Sequence, residues 1–151
     1  MRRGTSPSAA FGDLMKLVDR MSAVPARTAA LAAPKLDRLV AAQFRQGVDP
    51  YGRAWAPLRP ATLALGRHPP PLTDTRAMRD GTGVRVNPGR RAGLRLVVGA
   101  PYARFHQTGT RYMAARRIAP QFGMPQAWRA VLRAASKQAG QEALLAGREV
   151  V

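Results

Sequence analysis

The amino-acid sequence predicts an α+β fold with N-terminal helices, a small antiparallel β-sheet and a long C-terminal helix. Apolar residues recur at helical spacing within 11–21 and again within 36–44. Between 81 and 99 they alternate with arginine, which is typical of half-buried strands. Helical spacing returns from 125 to 147. Since 151 residues suffice for one core, we expect a flexible basic arm over 1–7 and a single domain over 8–151.

The first predicted helix has one apolar stripe, and its charged residues lie off that stripe. Two interpretations are open. The stripe packs on its own domain, or it contacts another subunit, because a helix close to a chain end is free to dock on a neighbour. The stripe consists of Phe11, Leu14, Met15, Val18 and Met21.

A second helix is predicted over 25–46. Pro25 breaks the first helix or begins the second, since proline is tolerated in the first helical turn. Pro34 predicts a bend within the helix, and Gly47 is a natural end. Leu36 and Phe44 belong to its apolar face.

The segment 48–58 changes character, because Asp49-Pro50 followed by Gly52 is turn chemistry. Trp55 and Leu58 are apolar side chains on this loop. We interpret Trp55 as a buried anchor, with direct contact to a partner as the alternative. A single helical turn is expected after Pro60, and a solvent-exposed loop over 66–71, which contains three prolines.

The segment 72–79 predicts either a short helix or a lead into a strand. Strands are predicted over 81–87 and 92–99, joined by hairpin chemistry at 87–91. Next, Tyr102 and Phe105 lie three residues apart in about two helical turns that Gly109 ends. We expect the two rings to share one packed face, with Gln107 beside them.

The segment 110–125 predicts irregular structure rich in arginine and apolar residues, which is typical of a surface covered by another subunit. A helix follows over 125–147, with Trp128 on its apolar face and arginines opposite. The predicted subunit-contact residues, from this segment and the first helix, are Phe11, Met15, Arg111, Tyr112, Arg116, Arg117 and Phe122.

The net charge is +17 and the sequence pI is about 11.9, with arginine supplying nearly all of the positive charge. Such a charge favours nucleic acid, an acidic membrane face or an acidic protein as partner. Enrichment in arginine and alanine also follows from a GC-rich genome, and arginine serves protein interfaces well. No apolar run reaches the roughly 18 residues of a membrane span, so we expect no membrane insertion.

The sequence gives little support for an enzyme. It contains no cysteine, which excludes disulfides, thiolate catalysis and cysteine-based zinc sites. His68 is expected to be solvated, and His106 to be a hydrogen-bonded structural residue. The carboxylates are scattered without acid–base spacing, and phosphate-binding glycine motifs and serine nucleophile elbows are absent. We therefore expect a non-enzymatic protein with no cofactor and no metal.

Four segments in order resemble the tail-completion and neck proteins of tailed bacteriophages, the Mu-like virion morphogenesis proteins. Residues 44–58 (FRQGVDPYGRAWAPL) resemble the pattern F…sPdGxxWxpL, and 72–78 (LTDTRAM) resemble LxdTGxL with arginine where glycine is usual. Residues 98–109 (VGAPYARFHQTG) resemble iGxxxxYAxiHQxG, and 113–118 (MAARRI) stand where the family has IPARPFL, without its prolines. The matching positions that we single out are Asp49, Pro50, Gly52, Trp55, Leu58, Tyr102, His106, Gln107 and Gly109.

The resemblance implies a structural virion protein at the head–tail junction, assembled in the host cytoplasm. It implies a homo-oligomeric ring, six- or twelve-fold, that contacts neighbouring neck, connector, tail-terminator or tail-tube proteins, with possible non-specific contact to packaged DNA. A cyclic ring uses two different patches on each protomer. We expect the first helix, the Trp55 loop and the segment 111–124 to be those patches, and most of the basic charge to face acidic neighbouring rings. The alternative function is a basic nucleic-acid-binding protein.

Overall fold

A computed structural model describes residues 7–87 and 92–146 of the chain. It confirms the predicted α+β class, with a two-stranded antiparallel sheet and a long C-terminal helix. The predicted arm lies outside the described residues except for Pro7, and so does the hairpin connection 88–91. In chain order the elements are α1 Pro7–Ser22, α2 Val24–Gln46, α3 Pro60–Ala64, α4 Ala77–Asp80, β1 Thr82–Asn87, β2 Gly93–Val98, α5 Ala103–Thr108 and α6 Gln126–Leu145.

Helix α2 is the centre of the core, and it packs against α6 and β1. Pro25 stands in its first turn, where a missing N–H breaks no helical bond, and Pro34 lies inside the helix. Gly47 closes it in the left-handed conformation, with φ 66°, as the sequence predicts. Its buried face consists of Ala29, Ala32, Leu36, Val40, Gln43 and Phe44.

Helix α6 pairs with α2 and buries Trp128, Ala135 and Ala139. Arg27, near the start of α2, donates through Nε to Glu142, near the end of α6, at 2.6 Å. The start of α2 therefore lies beside the end of α6. This ion pair raises the pKa of Arg27 and lowers that of Glu142.

The predicted hairpin is present, with Val84 opposite Leu96 and Arg85 opposite Arg95. The carboxylate of Asp37 in α2 accepts a hydrogen bond from the backbone N–H of Val84 at 2.9 Å and so joins the sheet to the helix. The second strand is half-buried rather than fully buried. This is expected of a two-stranded sheet that has one face on the core.

Two local expectations need correction. Tyr102 and Phe105 are 41% and 43% exposed, so they do not form a packed face, and the guanidinium of Arg104 lies 4.6 Å from the Phe105 ring centre. Pro71, predicted in a solvent-exposed loop, is buried. The segment after Leu72 forms the short helix α4, which is one of the two predicted alternatives. None of the described helices is long and apolar enough to cross a membrane.

Candidate subunit-interaction surface

The loop after α2 is closed from the inside by Asp49. This buried carboxylate accepts hydrogen bonds from the backbone N–H groups of Tyr51, at 2.8 Å, and Arg53, at 2.9 Å. The backbone N–H of Asp49 donates to the carbonyl of Arg53 at 2.8 Å. Pro50 is buried, and Gly52 takes φ 83°, which glycine adopts without steric cost. The turn is therefore rigid because of its own sequence.

Trp55 is a buried anchor, with 6% of its surface exposed. Its ring meets Phe44 edge-on at 5.5 Å between centroids, and its Nε1 donates to the carbonyl of Arg117 at 2.9 Å. The side chain therefore joins the loop both to α2 and to the segment after α5. Direct contact of Trp55 with a partner, the alternative interpretation, does not fit this burial.

Gln107 joins α5 to the same segment. Its Nε2 donates to the carbonyl of Ala119 at 2.8 Å. Its Oε1 accepts from the backbone N–H groups of Ile118, at 2.9 Å, and Ala119, at 3.0 Å. Ile118 is 1% exposed, so this amide takes the place of water for a buried stretch of backbone.

The prediction that Arg116 is a subunit contact is wrong, because this side chain does not lie on the outer surface. It is 8% exposed, and its Nε and a terminal nitrogen donate to the carbonyls of Ala56 at 2.7 Å and Pro57 at 2.9 Å. Burial lowers the pKa of Arg116, and the charge of nearby Arg59 lowers it further. Arg116 therefore holds the Trp55 loop against the segment after α5.

The sequence interpretation missed two residues of this framework. The hydroxyl of Tyr51 donates to the carbonyl of Gly123 at 2.8 Å and accepts from the backbone N–H groups of Gln121 and Phe122. Gln43 donates to the carbonyl of Ile118 at 3.2 Å. A signal existed for Gln43, because a polar side chain on the buried face of a helix needs a hydrogen-bond partner.

His106 departs from its predicted role as a hydrogen-bonded residue. Its Nδ1 is buried and has no hydrogen-bond partner within 7–87 and 92–146. Its ring meets Tyr102 edge-on at 6.0 Å, and its carbonyl accepts from the N–H of Arg116 at 2.7 Å. Burial lowers the pKa of His106, followed by the charge of Arg116. The imidazole is therefore neutral at pH 7.

Gly109 ends α5 at a place where no other residue fits without strain. Its φ is 77°. A Cβ there would lie 2.9 Å from the nitrogen of Ala115 and 3.0 Å from the carbonyl oxygen of Met113. The close passage of the following chain over α5 therefore depends on this glycine.

The outer side of the segment after α5 carries two exposed aromatic rings, and an arginine guanidinium lies over each of them. Tyr112 and Phe122 are 68% and 67% exposed. Arg111 lies over Tyr112 at 4.8 Å, and Arg117 lies over Phe122 at 5.2 Å. Exposed aromatic rings and arginine are the residue types enriched at protein interfaces.

A groove of about 770 Å³ opens beside this surface. One wall comes from 57–78 and the other from 102–116; we call this feature the groove. Its apolar lining includes Leu58, Leu65, Leu72 and Tyr112. The side chains of His106 and Arg116 also line the groove.

The α1 stripe, defined as Phe11, Leu14, Met15, Val18 and Met21, is a second exposed apolar surface. These side chains are 43–65% exposed. Helix α1 packs against α6 and α2, and Leu17 and Arg20, which lie off the stripe, are half-buried, so the stripe is its more exposed side. Within the described residues, the stripe is not packed into the core of its own domain.

Comparison with protein-family models, with curated proteins and with solved structures finds no match for this chain. Among residues 7–87 and 92–146, no group of three or more histidine, aspartate or glutamate side chains is placed to hold a metal ion.

Proposed function

We propose that this protein is a structural subunit of an oligomeric ring at the head–tail junction of a tailed bacteriophage, where it completes the tail or joins it to the head. The class of function comes from the four sequence segments that resemble phage neck and tail-completion proteins. The chain works by shape and by contacts with its neighbours, and it catalyses no reaction.

The observation that carries the proposal is that the fourth of these segments is hydrogen-bonded to both the first and the third. Trp55 and Asp49 lie in the first, Gln107 in the third and Arg116 in the fourth. Hydrogen bonds from Trp55, Gln107 and Arg116 join these segments across 11 to 62 residues of sequence. Residues matched by the resemblance thus form one hydrogen-bonded framework, and the exposed Tyr112 and Phe122 lie on either side of the fourth segment along the chain.

Particle assembly tests this proposal directly. In the phage or prophage that encodes the chain, deletion of its coding sequence is expected to leave filled heads and separate tails in electron micrographs. The wild-type chain supplied in trans is expected to restore joined particles and to be detected in them by mass spectrometry. Joined, infectious particles without the chain would show that the proposed function is wrong.

Two matched variants refine the test. Phe122→Ser removes a 67% exposed ring from the proposed contact surface, and Val86→Ser removes a 41% exposed side chain from the sheet. Because both side chains are exposed, neither change is expected to cost more than about 0.5 kcal/mol of folding free energy. Phe122→Ser is expected to lower the yield of joined particles, whereas Val86→Ser is not.

One observation is consistent with the alternative, a nucleic-acid-binding protein, and equally with an acidic protein partner. Arg85 and Arg95 are directly opposite each other across the hairpin, and both are exposed. Like charges at such a position repel unless an anion lies between them. A phosphate group of DNA would provide such an anion. A carboxylate of a neighbouring ring, which is the partner that we propose, would provide it equally well.

Salt dependence separates these two partners. Binding to duplex DNA that weakens steeply with salt, and that weakens further in Arg85→Gln, would favour the nucleic-acid function. Because we propose a ring subunit, we expect the chain to bind duplex DNA only weakly and without sequence preference.

A further inference from the structure

The α1 stripe has the spacing of a helix that packs against another surface. Its apolar residues stand at positions 11, 14, 15, 18 and 21, so they form one continuous face over about three turns. All five side chains are at least 43% exposed. Nothing within the described residues covers this face.

The groove offers a surface of matching chemistry on the same chain, and it shares no residue with α1. Its apolar lining includes Leu65, which is 80% exposed, and Tyr112, which is 68% exposed. The polar residues of its lining, which we call its rim, include Thr62, Thr75, Arg59 and the ion pair of Arg67 with Asp74. Apolar cores with polar rims are the anatomy of protein interfaces.

Charge also matches between the two surfaces. Arg59 is exposed in the lining of the groove, and within the described chain it contacts no carboxylate. On α1, the exposed carboxylate of Asp19 has no hydrogen bond or ion pair with another described side chain. Residues 11–22 contain two acidic and two basic side chains, so this helix is neutral in a chain of net charge +17. Its net charge is lower than that of the other two long helices, α2 and α6, so a basic groove repels it less than it repels either of them.

We propose that the α1 stripe of one copy docks into the groove of the next copy. This inference rests on the ring function proposed above and names the contact that builds the ring. Because the stripe and the groove are different patches, the contact is head-to-tail, and each protomer has one of each to offer. Repetition of that contact closes a ring when the rotation between copies is a whole fraction of a turn.

The areas are sufficient for such a contact. A large side chain buries roughly 200 Å² when fully covered, so five side chains about half exposed offer roughly 500 Å². A stable interface buries about 800 Å² on each partner. The stripe thus supplies more than half of that area, and we expect the flanks of α1 and the polar rim of the groove to supply the remainder. A pairing of stripe with stripe is less favourable, because an antiparallel arrangement centred on Lys16 brings Asp13 of one copy near Asp19 of the other.

Site-directed cross-linking tests the contact. Because the chain contains no native cysteine, a thiol-specific reagent reacts only at the cysteines that are introduced. Two purified full-length variants are mixed: Lys16→Cys, beside the stripe, and Thr75→Cys, on the rim of the groove. A short bis-maleimide reagent is expected to give a cross-linked dimer in the mixture and not in either variant alone. Ser136→Cys, exposed on α6, replaces Lys16→Cys as the control and is expected to give no dimer with Thr75→Cys.

A second change tests whether the apolar stripe drives the contact. Val18→Asp in the Lys16→Cys chain is expected to abolish the dimer and leave the circular dichroism spectrum unchanged, since Val18 is 51% exposed. Dimers of Lys16→Cys with itself would mean that stripe meets stripe, and no dimer in the mixture would mean that the groove is not the acceptor. Either result overturns the inference.

The proposed ring at the head–tail junction is judged separately. If the specific dimer forms but finished particles lack the chain, the contact is correct and the phage function is wrong. If particles contain the chain and the dimer is absent, the phage function stands and the docking of α1 is wrong.

Discussion

Replacing Gln107 by alanine tests whether one amide holds the segment after α5 in place. The wild-type side chain makes three hydrogen bonds to the backbone of Ile118 and Ala119. Each intramolecular hydrogen bond contributes about 1 kcal/mol net, and a buried N–H left without a partner costs about 1–3 kcal/mol. We therefore expect Gln107→Ala to lower the free energy of unfolding by about 3 kcal/mol.

Urea denaturation measures this change. With a typical slope of about 2 kcal/mol per molar urea, a loss of about 3 kcal/mol moves the midpoint by about 1.5 M. Gln141→Ala is the matched control, because Gln141 is exposed on α6, and we expect it to change stability by less than about 0.5 kcal/mol. Native-state hydrogen exchange adds a local measurement, since the amides of Ile118 and Ala119 are expected to lose protection first.

The reasoning would be refuted if the free energies of unfolding of Gln107→Ala and Gln141→Ala agreed within about 0.5 kcal/mol. In that case the backbone of 118–119 would find other partners at no cost. A loss of stability with unchanged exchange at Ile118 would also contradict it, because the destabilisation would then arise elsewhere in the chain.

Three further predictions concern the same framework. Trp55→Phe removes the Nε1 donor to Arg117 and leaves a small cavity, and it is expected to cost about 2 kcal/mol in urea denaturation. Gly109→Ala is expected to lower the thermal midpoint, because its φ is 77° and a Cβ would lie 2.9 Å from a backbone nitrogen, whereas Gly140→Ala, in open space on α6, is expected to raise it. The pKa of His106 is lowered from its ordinary value of 6.5, so the unfolded chain binds the proton first and stability is expected to fall as pH decreases below about 6.5; His106→Gln is expected to flatten this dependence, and an unchanged slope would contradict it.

The elements of the fold could be predicted because their signals are local. Proline in the first turn and glycine at the end define α2, and alternation over six residues on each strand defines the hairpin. The turn at Asp49 was equally accessible, since an aspartate side chain that bonds the backbone two residues on is a short-range interaction.

The sequence could not predict which side chains of 110–125 are buried against the domain and which are exposed. Arg116 and Arg117 are neighbours in an irregular segment, yet one guanidinium is buried against Ala56 and Pro57, and the other lies over Phe122. No periodicity separates them, because irregular backbone has none. The exposure of Tyr102 and Phe105 was missed for a related reason: helical spacing places two rings on one face without saying what lies opposite that face.

The sequence by itself predicted the order of the long helices and of the two strands, the turn at Asp49 and the strongly basic charge, because all of these depend on residues a few positions apart or on composition alone. Only the tertiary structure decided that Trp55, Gln107 and Arg116 form an internal framework, and that the α1 stripe and the groove are left uncovered. The physical reason is that burial is a property of pairs of surfaces. A side chain is covered only when a distant segment arrives on it, and that arrival is not encoded in its immediate neighbours.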